Sequence, residues 1–368
     1  MNSKALGKSG WILVVVALAV VLVPSIASAQ MIIKVNDNTF FRLGMQMQAW
    51  ADFLQDQTGG YEQNYYLRRA RFQLTGQIGP DITFFFQTDN ANLGKFSATT
   101  VKNFTGTFLI QDAWFEWKLA DEFAIDAGEM IVPTSRNELN STLSFLTLDI
   151  SPTSTVFLTP TQTNGTRDTG FQAHGYIGDG HFEYRAGLFQ GVRINDSRNS
   201  PRYAVYLQYD FFDTETGYVY SGTNLGKRNI LALSGGYSAQ NSYRQYSGDL
   251  FTNLKVGEGD EFAGEVEWNH YDGQDFLPSV PNQNDYLAQV GYYFASAKVQ
   301  PFVKWESQRF VAAAEQVNNV DRWGGGLNYY IHGQNLKLTG QYLRIEPKNN
   351  PAEQNTNEGT VQLQFFFN

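Results

Sequence analysis

The chain has no cysteine. No disulfide can hold it, so its fold must rest on hydrogen bonding and packing. Histidine is scarce: His174, His181, His270 and His332 lie far apart, with no paired Asp-His or His-x-Ser motif. The sequence also lacks a Gly-x-Ser-x-Gly elbow, a His-Glu-x-x-His pair and a phosphate-cradling glycine loop ahead of a helix. These absences speak against an enzyme, and neither a cofactor nor a metal is implied. After residue 29 there is no long apolar run, which excludes a membrane protein made of helices. A transmembrane β-barrel stays open, because only every second residue of its strands meets lipid.

Basic residues are in the minority. Lys4 and Lys8 belong to the N-terminal segment, and without them 25 basic side chains face 36 acidic ones, a formal charge of −11. Nucleic acid is therefore not an expected partner, since duplex binding requires phosphate neutralisation. Anionic cargo is not excluded, because charge inside a cleft can oppose the net charge.

Residues 1–29 have the form of a secretory signal. Lys4 and Lys8 precede an apolar stretch from Trp11 to Val23, and Ala27-Ser28-Ala29 forms a small-residue cleavage site. Thirteen apolar residues fall short of the ~20 that span a bilayer. Export with cleavage after Ala29 is expected, leaving residues 30–368 as one domain.

That domain is rich in aromatics, with 20 Tyr and 28 Phe, and contains most of the 34 glycines. Period-2 alternation predicts sixteen strands, near 39–53, 63–78, 82–90, 106–119, 123–131, 168–177, 181–190, 201–212, 228–238, 246–256, 261–272, 285–294, 299–310, 322–331, 336–345 and 357–367. Tight turns such as Gly79-Pro80-Asp81 and Gly178-Asp179-Gly180 alternate with longer polar links at 54–62, 91–105, 132–167, 191–200, 239–245, 273–284, 311–321 and 346–356. Short turns on one rim and long loops on the other predict an all-β, closed, antiparallel transmembrane barrel. An even strand count places both termini on the short-turn, periplasmic rim. The link 213–227 breaks the rhythm by being long on that rim. A soluble β-sandwich would need protected edges, which this uniform rhythm does not provide.

In NYYLRRARFQLTGQIG (64–79), Arg69, Arg71, Gln73, Thr75 and Gln77 alternate with Ala70, Phe72, Leu74, Gly76 and Ile78. The apolar set is expected to meet lipid and the polar set a watery lumen, since a midplane arginine facing lipid costs ~2–4 kcal/mol. Arg68 falls on the lipid parity, close enough to the outer end to snorkel. The pairs Tyr65 with Tyr66 and Tyr292 with Tyr293 suit interfacial girdles. The same parity gives an inward basic set of Arg42, Arg69, Arg71, Lys118, Arg185, Arg202, Lys255, Lys304 and Lys337. Against it stand Asp89, Asp112, Glu116, Glu183, Asp210, Glu265, Glu267 and Glu306, close to balance. Arg69 and Arg71 either form a basic strip for anions or pair with carboxylates such as Asp112 and Glu116. Loop acids such as Asp272 and Asp275 could meet divalent cations at a lipopolysaccharide surface; loop arginines Arg193 and Arg198 could recruit anions.

The stretches YYLRRARFQLTGQIGPDITFFFQTD (65–89), DAWFEWKL (112–119), GEMIVPTSRNELNS (128–141) and RDTGFQAHGYIGDGHFEYRAGLFQGV (167–192) resemble the phosphate-selective porin O and P family. QPFVKWES (300–307) and VQLQFFF (361–367) add to the resemblance. It implies a homotrimeric, sixteen-stranded outer-membrane porin set in lipid and lipopolysaccharide, passing small hydrophilic solutes, with anions such as phosphate foremost. It also implies that the third external loop, 132–167, folds inward, which makes Arg136, Glu138, Asp149 and Arg167 constriction candidates. The family's central phosphate-gripping arginines have no unambiguous counterparts. Alternatives are a general or cation-preferring porin, or a plugged barrel serving as a structural or adhesive surface protein.

Overall fold

The computed structural model describes residues 31–97, 101–103, 107–156, 165–193 and 200–367. The signal-like segment 1–29 and Arg198 lie outside them.

The N-terminal strands are β1 (Met31–Asn36), β2 (Thr39–Gln55), β3 (Tyr61–Ile78) and β4 (Ile82–Asp89). A short ribbon, β5 (Phe96–Ser97) with β6 (Val101–Lys102), decorates the next link. The wall continues with β7 (Leu109–Ala120), β8 (Phe123–Ile131), β9 (Arg167–Ile177), β10 (Phe182–Phe189) and β11 (Arg202–Asp210). After a long link come β12 (Ile230–Gln240), β13 (Tyr243–Val256), β14 (Asp260–Asp272), β15 (Gln283–Tyr293) and β16 (Val299–Phe310). The last three are β17 (Val320–Gln334), β18 (Leu336–Pro347) and β19 (Thr356–Phe367). A single helical turn, α1 (Arg136–Leu139), lies in the link between β8 and β9.

Sixteen of these strands form the wall. Each pairs antiparallel with the next in chain order from β2 to β19, skipping the β5–β6 ribbon. β19 then pairs back onto β2, Glu358 opposite Leu54 through to Phe367 opposite Met45. Closure leaves the sixteen-strand wall without a free edge and satisfies the backbone within it, as a strand structure in hydrocarbon requires. β1 folds back on β2 through Asp37-Asn38, placing Met31 opposite Leu43. It extends the edge of β2 beyond the point where β19 stops.

The two faces of the wall are chemically opposite. Along β11, Arg202, Ala204, Tyr206, Gln208 and Asp210 are buried, while Tyr203, Val205, Leu207 and Tyr209 are exposed on the outer face. The same contrast sets buried Gln46, Gln48, Arg69 and Arg71 against exposed Met47 and Phe72. An apolar exterior around a polar interior is the reverse of a soluble sheet, and it matches a lipid surround.

Four expectations need correcting. Between Gln48 and Ala49 the β2–β3 register jumps, so that Gln48 faces Arg69 and Ala49 faces Leu67. Arg68 is the extra residue of a β-bulge, and its side chain bonds Asp149 instead of snorkelling outward. In each tyrosine pair only one ring can face lipid: Tyr66 is buried on Asp52, and Tyr293 packs against Tyr330. The link expected at 239–245 is the two-residue turn Asn241-Ser242, with Asn241 at φ 51°. β1 lies ahead of the first strand expected from alternation.

The link 211–229 is long, as expected. Tyr220 pairs its backbone with Leu139 and Ser141 of the β8–β9 link, at 3.0 and 2.8 Å. Tyr218 receives the Ile131 amide at 2.7 Å.

Candidate functional site

Five arginines line one cavity of about 580 Å³ against β2, β3, β4 and β7: Arg42, Arg68, Arg69, Arg71 and Arg167. It reaches from Arg68 near the loop end of β3 to Gln77 near its turn, roughly 30 Å at ~3.3 Å per residue. That length is comparable to the wall's hydrophobic band.

Four of the five are paired. Arg68 Nε and Arg69 Nη2 both donate to Asp149, at 2.9 and 2.6 Å. Arg71 Nε meets Asp89 at 2.9 Å and its Nη1 meets Thr142 Oγ1 at 3.0 Å. Arg167 Nε meets Asp112 at 3.1 Å. A guanidinium carries five donors in a planar fork, so these carboxylates occupy part of each and leave N–H groups over. Arg42 differs: among the described residues it has neither an ion pair nor a hydrogen bond, and its guanidinium lies 5.1 Å from the Phe40 ring centroid. Burial would push the Asp149 carboxyl up, but Arg68 and Arg69 outweigh it and hold it well below the usual carboxylate range.

Besides Asp89, Asp112, Asp149 and Glu138 at this cavity, a second group of acids lies elsewhere. Asp249 on β13, with Glu265 and Glu267 on β14, offers carboxylate oxygens within 4.8 Å of one another. β13 lies half-way round the sixteen-strand circuit from β3. Residues of the β8–β9 link donate to these acids. The Arg136 amide bonds Asp249 at 3.1 Å, and the Asn137 amide bonds Glu267 at 3.0 Å. Both are first-turn amides of α1, which have no partner within the helix. Ser151 Oγ adds a bond to Glu306 at 2.6 Å. The link also touches other strands: Asn328 donates to the Leu146 carbonyl at 2.9 Å, Lys337 to the Leu143 carbonyl at 3.2 Å, and Gln46 to Thr142 at 3.0 Å.

The remaining basic candidates sit apart from the Arg42–Arg167 cluster. Lys118 is exposed at the turn rim, paired with Asp121. Lys255 is exposed near the end of β13. Arg185 is buried against Glu183 and donates to the Tyr218 and Gly217 carbonyls. Arg202 is buried beside Ser238, and Lys304 pairs with Glu306 at 2.6 Å. Arg136 is fully buried: it donates to Gln208 and Glu215 and stacks 3.7 Å from the Phe251 centroid. Glu138 accepts from Thr134. Among the described residues His174, 3.1 Å from Glu116 and 3.4 Å from Asp126, forms a second group of metal-ligating residue types besides the Asp249 cluster. Sequence reasoning missed Arg68, whose only signal was its place in a run of arginines opposite a register jump.

A closed sixteen-strand wall, apolar outside and polar within, defines a porin-type transmembrane barrel. The chain belongs to the phosphate-selective porin O and P family, whose model matches residues 41–317. An uncharacterised protein of Aquifex aeolicus is 22% identical over 298 residues, covering 70% of this chain and 68% of that one. The fold is similar to OmpF of Salmonella typhi, solved with daunomycin, at 14% identity and a TM-score of 0.61, covering 92% of this chain and 100% of the other. It is also similar to an anion-selective porin from Comamonas acidovorans, at 12% identity and a TM-score of 0.62, covering 89% and 100%. The channel DcaP of Acinetobacter baumannii matches at 12% identity and a TM-score of 0.57, covering 91% and 99%. Family and fold are those of outer-membrane diffusion channels.

Proposed function

We propose that the protein is an anion-preferring porin whose solutes move along the arginine-lined wall of β2, β3 and β4. The observation that carries this reading is the separation of charge. Asp249 and Glu267 on β13 and β14 accept from amides of the link between β8 and β9, whereas five arginines line the cavity on the opposite side of the circuit. In this reading residues 132–156 cross the lumen, dock on the acidic wall and narrow the channel. Their bonds to inward side chains from β2 round to β18 support that course. Solutes are sorted by size and by the local basic potential, which a low-dielectric constriction amplifies.

The family name makes inorganic phosphate the first solute to test. We also assign removal of residues 1–29 on export and assembly as a homotrimer in lipid and lipopolysaccharide. The functional test is the zero-current potential of purified protein in a planar bilayer under a KCl gradient. A chloride-preferring potential is expected, with phosphate reducing chloride current. A cation-preferring potential overturns the reading.

A further inference from the structure

The arginine-lined cavity is not uniformly polar, and the register places its apolar part beside its least encumbered charge. Arg42 pairs with Thr75, Thr75 with Phe85, and Phe85 with Trp114, in one row across β2, β3, β4 and β7. All four line the cavity. Strands lie ~4.8 Å apart, so Phe85 stands about 10 Å across the wall from Arg42, with a small threonine between them. The Phe85 and Trp114 centroids are 6.0 Å apart, and Tyr218 from the 211–229 link completes the group, 4.4 Å from Trp114 and 6.3 Å from Phe85. Arg42 is held by a ring and not by a carboxylate, so a solute anion competes with no internal partner for it.

Inorganic phosphate uses none of this aromatic surface. A ring bearing a carboxylate uses both parts at once, with its charge on the Arg42 fork and its body on the Phe85–Trp114–Tyr218 group. We propose that this row is a subsite for aromatic monocarboxylates, and that such solutes are retained in the channel more strongly than small hydrophilic anions. The idea rests on the anion-preferring reading and adds the chemical class of the solute.

The test is block of KCl current through the full-length channel by benzoate, acetate, inorganic phosphate and uncharged benzyl alcohol. Benzoate is expected to block at about tenfold lower concentration than acetate or phosphate, the size of effect that roughly 1.4 kcal/mol of aromatic contact produces. Benzyl alcohol should not block. Trp114→Leu and, separately, Phe85→Leu should erase the advantage of benzoate while leaving acetate unchanged. Two variants are used so that poor assembly of one does not decide the matter. Equal block by benzoate and acetate, or an advantage that survives both substitutions, overturns the subsite and leaves chloride preference standing. A cation-preferring zero-current potential in plain KCl overturns the anion reading and the subsite together.

Discussion

Asp149 is shared by two of the cavity's arginines, Arg68 and Arg69. Removing one partner of a buried pair costs about 3–5 kcal/mol, and the partial exposure of Asp149 puts this case toward the lower end. Asp149→Asn leaves two guanidiniums uncompensated. Its zero-current potential should move further to the chloride side, and an unchanged potential would remove these arginines from the solute path. The pH sign follows from the depressed folded pKa. The clamp is fully present above the unfolded carboxylate value of ~3.9 and is lost only as pH falls through the lower folded value. Wild-type selectivity should therefore hold steady down to about pH 5. At this scale alternation made Arg69 and Arg71 legible in the sequence. Arg68 was not, because a one-residue bulge reverses parity without leaving a compositional mark.

Among elements, the β8–β9 link is the one proposed to narrow the lumen, and its seat against β12 requires a glycine. A Cβ at Gly236 on β12 would meet the Thr134 carbonyl oxygen at 2.0 Å. Gly236→Val should push the link off the wall while the barrel still closes. Single-channel conductance should rise, with added open-channel noise; an assembled variant with wild-type conductance would show that the docked link does not limit flow. The sixteen wall strands could be read because each alternates over most of its length. Their rims were less legible: β12 and β13 run on to the Asn241-Ser242 turn through polar residues that look like loop. The course of 132–156 was not readable from its own residues, since its partners are single polar side chains on strands far away in sequence.

For the whole molecule, nine inward basic candidates against eight acids suggested little selectivity. In the proposed reading, position around the circuit matters more than that tally. Arginines cluster at β2–β3, and acids lie under loop amides at β13–β14. A channel with a net negative chain can therefore offer solutes a basic wall.

This division can be mapped directly, because a chain without cysteine has no background thiol. Thr75 lines the arginine cavity, while Ser234 is buried on the acidic side, bonded to Asp249 at 3.3 Å. The decisive measurement compares Thr75→Cys with Ser234→Cys while each open channel is exposed to a sulfonate-bearing thiol reagent. The account predicts rapid loss of current for Thr75→Cys and slow or no loss for Ser234→Cys. Faster modification of Ser234→Cys would place the solute path along the acidic wall and contradict it.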